Sequence, residues 1–114
     1  MMDDGTSVGD RPIACTLTEP EQQAREQYLQ REVFGGIEQI RELPDGYALR
    51  YPGDGRWVAV LADFIRFERE CCPFLHFALH AEPGRGPLCL HLTGQAGAKE
   101  FIGTLLPTAP ADRP

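Results

Sequence analysis

"HFALHAEPGRGPLCLHLT", residues 76–93, is the stretch whose reading decides the fold. Two runs of alternating apolar residues, "HFALHAE" and "LCLHLT", flank "PGRG", whose proline and glycines mark a turn. Closing an antiparallel hairpin at that turn sets His80 opposite Cys89 and Ala78 opposite His91. Because strand side chains alternate between faces, Phe77, Leu79, Leu90 and Leu92 then share one side, and His76, His80, Cys89 and His91 the other. The aliphatic side needs a cover, so the hairpin predicts a sheet with helices packed on one face. Its His/Cys side reads either as an ordinary polar outer surface or as imidazole and thiol donors suited to zinc or copper.

Working outward, "YPGDG" is a loop, and Asp54 is placed to cap a long helix that begins near Arg56. Trp57, Val60, Leu61, Phe64, Phe67, Glu68 and Cys71 recur along it at helical spacing. Pro73 disfavours helical geometry at Cys72 and ends the helix there. "IEQIREL" and "YALRY" around "PDG" form an earlier hairpin, and "AKEFIGTLL" a closing amphipathic helix. Before these, Thr18 and Glu21 form a capping box with Pro20 in the first turn, opening a helix whose apolar stripe is Ala24, Tyr28, Leu29 and Val33. Gly35-Gly36 stops it. "PIACTL" reads as a first strand, with Ile13, Cys15 and Leu17 on one face.

The expected architecture is α+β: a two-layer sandwich of about five mostly antiparallel strands with three helices on one face. Its βαββαββα order is related to the ferredoxin-like pattern. At 114 residues the chain fits one domain, expected over 12–106, with 1–11 and 107–114 as flexible tails.

The formal charge is −6 and the chain holds a single lysine, Lys99, with arginines scattered among glutamates. Nucleic-acid affinity rests on clustered basic residues, so a nucleic-acid partner is not expected. No apolar run is long enough to span a bilayer, so no membrane partner is expected. "MMDDGTSVGD" has no apolar signal core. The expected location is cytoplasmic, where thiols stay reduced.

"FERECCPFLHF", residues 67–77, holds two of the four cysteines, Cys71 and Cys72; the others are Cys15 and Cys89. Three readings stand side by side. Cysteine packs well as a small apolar group, and Cys71 continues the helix's buried stripe. Nucleophilic thiol chemistry is disfavoured at a helix C-terminus, whose dipole opposes a thiolate, and Glu68 and Glu70, read as a solvated face, flank Arg69. Metal binding becomes the leading reading if the first strand meets the long helix. Cys15, Cys71 and Cys72 then form a trithiolate set that selects a soft ion such as Zn, Cu or Hg. No phosphate loop, dinucleotide fingerprint, nucleophile elbow or zinc-protease motif occurs, and no organic cofactor is expected.

With "IACTLT" and "FERECCPFLHF" in view, the chain resembles a small, poorly characterised bacterial family with A-C-[TS]-L and E-x-x-C-C-x-F motifs. Members of that family accompany or extend metal-responsive regulators in heavy-metal resistance. Position by position, the resemblance matches Cys15, Glu68, Cys71, Cys72 and Phe74, and it implies a thiol site for heavy-metal ions. The expected function is that of a small soft-metal-ion binding protein accessory to metal resistance or homeostasis. The alternatives are a non-catalytic homodimeric module with structural cysteines and a thiol oxidoreductase using the vicinal pair.

Overall fold

The computed structural model describes residues 17–107. Over them the chain is α+β, with a four-stranded antiparallel sheet and three α-helices. The expected strand over "PIACTL", and Cys15 with it, lies outside the described residues except for its last residue, Leu17, which is in a bend.

Helix α1 spans Glu19–Tyr28 and begins as its sequence directs. The Thr18 backbone N–H donates to Glu21 Oε1 at 2.8 Å, and the Glu21 N–H donates back to Thr18 Oγ1 at 3.4 Å. The expected apolar stripe needs one correction. Ala24 is exposed, and Arg25, the next residue, takes the buried position. The helix also does not run on regularly. It widens into a π-helical turn, Leu29–Val33, and tightens into a 3-10 turn, Phe34–Gly36. This change of pitch turns Leu29, Val33 and Phe34 into the core together.

Strands β1 (Gln39–Leu43) and β2 (Gly46–Tyr51) form the first hairpin, with Leu43 paired to Gly46 across Pro44-Asp45. A side chain at Gly46 would put its Cβ 1.9 Å from the Leu92 carbonyl oxygen, so only glycine lets the neighbouring strand approach there. Helix α2 (Gly55–Cys71) is capped by Asp54, whose Oδ1 accepts from the Arg56 N–H at 2.8 Å. Strands β3 (Leu75–Ala81) and β4 (Leu88–Gly94) form the second hairpin, and α3 (Ala98–Leu105) closes the described chain.

The sheet order is β1-β2-β4-β3. The second hairpin has the register its sequence predicts: His80 pairs with Cys89 and Ala78 with His91. Pairing of Leu49 with Leu90 and of Tyr51 with Leu88 joins the hairpins and lines their apolar positions into one face. Leu61 and Phe64 of α2, Ile102 of α3, and Leu29 and Val33 cover that face. Tyr51 is fully buried among them, and its hydroxyl donates to the Val33 carbonyl at 3.0 Å. Phe67, expected in the α2 stripe, instead stands 43% exposed at its margin. The opposite sheet face leaves Arg41, Arg50, His76 and His80 exposed.

Core and surface are separable by substitution. Leu90→Ala should lower the unfolding free energy by about 2–5 kcal/mol, because its neighbours on both sides are held by strand pairing and close only partly on the void. Ala24→Gln, at a position that periodicity alone assigns to the core, should change it by less than about 0.5 kcal/mol. Urea unfolding of the two variants measures both, and a large loss at Ala24 would contradict the placement of Arg25 in its stead.

Candidate functional site

The last turn of α2 brings Glu68, Cys71 and Cys72 together. Glu68 lies one turn before the thiols and one turn after Phe64, so the helix that buries Phe64 also buries Glu68. Cys71 continues that face. Cys71 and Cys72 stand three and four residues after Glu68, so helical spacing sets both beside it on one face. Pro73 ends the helix there: Cys72 leaves the helical region at φ −132° and ψ 71°, while its N–H still donates to the Glu68 carbonyl at 2.8 Å. One carboxylate oxygen and the two Sγ atoms lie within 4.8 Å of one another. All three residues are buried, Glu68 and Cys72 completely. Among the described residues no other trio of His, Cys, Asp or Glu converges this closely.

Glu68 does not belong to a solvated face, contrary to the sequence reading; Glu70 is exposed as expected. What permits the burial is Arg25 of α1. Its Nε donates to Glu68 Oε2 at 2.7 Å and its Nη2 to Oε1 at 2.5 Å. The same Nη2 approaches Cys72 Sγ at 3.4 Å. This is the planar fork that arginine, and not lysine, presents to a carboxylate. Burial by itself lowers the Arg25 pKa. The hydrogen bonds and charge of Glu68, with smaller contributions from Cys72 and Cys71, outweigh it and hold the guanidinium above its ordinary value. Arg25 is thus a permanent buried cation beside the thiols, a feature that counters the unfavourable helix end.

Sequence reasoning missed Arg25. The available signal was periodic: Arg25 lies four residues before Leu29 and eight before Val33, on the stripe that those residues define. A charged residue on a buried stripe calls for a partner, and Glu68 sits on the buried stripe of the other helix. A lid of Phe74, Ala98 and the partly buried Leu17, Leu75 and Phe101 surrounds the thiols, with Phe74 and Phe101 edge to face at 5.0 Å. Beside the site a groove of about 500 Å³ runs between α1 and α2, lined by Leu17, Ala24, Arg25, Tyr28, Arg66 and Phe67 among others.

The second His/Cys set occupies the outward sheet face. The His80 and His91 rings lie 4.9 Å apart, centre to centre, at 56°. His76 pairs with Thr93, at the other end of the strand from His80. Burial, His80 and Arg41 hold His91 below the ordinary histidine pKa, against the opposing pull of Asp45. Burial and Glu82 hold the Cys89 thiol up, against Arg41.

Comparison with family models, curated proteins and solved structures finds no match to this chain. No described helix is long and apolar enough to cross a membrane.

Arg25→Met should cost about 3–5 kcal/mol, because it leaves a carboxylate buried without its counter-charge. Arg25→Met/Glu68→Leu should recover much of that loss, since both charges then leave the interior together. Urea unfolding of the double-mutant cycle measures the coupling, and near-additive losses would refute a tightly paired site. In metal-free protein His91 should titrate below 6.5 by NMR. Acidification through that range protonates the unfolded chain first and so erodes stability.

Proposed function

We propose that the protein binds a soft metal ion through Cys71 and Cys72, with Cys15 as a third thiolate. The observation that carries this reading is the convergence of two adjacent thiols and a carboxylate within 4.8 Å inside the fold. Two thiolates on one ion with metal–sulfur bonds near 2.3 Å stand about 3.8 Å apart when tetrahedral and about 4.6 Å apart when linear. Small side-chain rotations reach either. Thiolate sulfur selects Zn, Cu(I) or Hg(II) over hard cations.

Charge supports the same reading. Arg25 and Glu68 cancel, so thiolates at Cys71 and Cys72 would leave the buried site doubly negative; a divalent ion would offset that charge, and a third thiolate from Cys15 would leave a single negative charge. Both Glu68 oxygens already accept from Arg25. Its role is therefore to orient the guanidinium against Cys72 rather than to hold the ion directly, in the manner of an outer-shell partner. Leu17 packs against the cluster that contains both thiols, and Cys15 stands two residues before it in the sequence.

The fifth strand and the βαββαββα order belong to this reading as well. Among the described residues, β2 and β4 have strand neighbours on both sides, and β1 and β3 are the edge strands. Of the two, β3 starts three residues after Cys72.

Native mass spectrometry of the reduced chain with Zn(II), Cu(I) and Hg(II) tests the function. The expected result is one tightly held ion at the thiols. Cys71→Ala/Cys72→Ala should remain folded and lose it, because alanine removes the ligands without adding a buried hydroxyl. A folded double variant with wild-type stoichiometry and affinity would defeat the proposal. Cys15→Ala separately reports whether the third thiolate takes part.

A further inference from the structure

We propose that His80, Cys89 and His91, on the outward face of the sheet, form a zinc site distinct from the buried thiols. The three residues lie on adjacent antiparallel strands. Cys89 is directly opposite His80, and His91 is two residues further along the strand of Cys89. Side chains two apart share a face, so all three point the same way, and hydrogen-bonded pairing of β3 with β4 holds their backbones in place.

The spacing of the rings matches that of two imidazole ligands on one ion. Imidazole nitrogens about 2.0–2.1 Å from a tetrahedral zinc place their ring centres about 5 Å apart. His80 and His91 stand at 4.9 Å with their planes tilted by 56°, before any ion is considered. Cys89 is a free, half-exposed thiol at the third corner. The three donors do not yet converge as the Glu68 trio does, so the site would close by rotation of exposed His80 and of Cys89 about their side-chain bonds. Two imidazoles and one thiolate are a mixed set that suits zinc, with a fourth position left to water.

The surrounding charge is balanced. Arg41 and Asp45 act on His91, and Arg41 and Glu82 act on Cys89. Arg50, paired with Cys89 from β2, is engaged by Glu38 at 3.4 Å. The buried trio and this surface trio thus differ in kind. One is sulfur-rich and closed, the other nitrogen-rich and open to solvent.

The test uses the full, untagged chain carrying Cys71→Ala/Cys72→Ala, so that the buried thiols contribute nothing. Cobalt(II) serves as the spectroscopic probe and zinc as its competitor. Tetrahedral cobalt bands with a thiolate charge-transfer transition at one equivalent are expected. Cys89→Ala should remove the charge-transfer band, and His80→Ala/His91→Ala should weaken zinc binding by about 100-fold or more, at least the loss seen when only a supporting residue is removed. Absence of those bands, or unchanged zinc affinity without the two histidines, overturns the proposal. If the background variant does not fold, the wild-type chain with nitrogen-15 labelled histidine decides the matter. The imidazole signals of His80 and His91 should shift together as zinc is added, and signals unmoved through two equivalents overturn it.

Discussion

A buried guanidinium and a buried carboxylate, Arg25 and Glu68, join the first helix to the last turn of the second. Their side chains are 3% and 1% exposed. Each would be prohibitive to bury alone, and together they are tolerated because the fork of one meets both oxygens of the other. The pair constrains its surroundings. Arg25 must face inward, which sets the rotation of α1 about its axis and turns Ala24 out. Glu68 must face α1, and the same helical face carries Cys71.

Pro73 supplies the second constraint at the same place. It takes Cys72 out of helical geometry, and the chain leaves toward β3 directly after the two thiols that helical spacing sets beside Glu68. The end of a helix, the start of a strand and the donor cluster are one local event. The lid over it, Phe74 and Phe101, comes from β3's approach and from α3, so the site is completed only when the sheet is covered.

Sheet alternation then divides the chemistry between two environments. On the inner side, apolar rows from both hairpins pack under the helices, with the thiols at the margin of that layer. On the outer side, two imidazoles and a thiol stand on neighbouring strands in reach of solvent. The two groups of side chains do not contact each other, because opposite faces of a sheet do not share side chains.

Much of this was legible in the residues. Alternation in "HFALHAE" and "LCLHLT" about "PGRG" determined the register of the second hairpin, including His80 opposite Cys89. Caps at Thr18 and Asp54 determined where two helices begin, and Pro73 where one ends. These are local effects, with cause and consequence within a few residues of each other. The adjacent thiols were visible for the same reason. The π-helical turn after α1, the joining of the hairpins through β2 and β4, and the inward turn of Arg25 were decided by tertiary structure. Arg25 and Glu68 are 43 positions apart, and although each lies on its own helix's buried stripe, neither segment names the other as partner. Only when the two helices lie side by side does desolvation turn these charges into an obligatory pair, and no local pattern carries a partner that far along the chain.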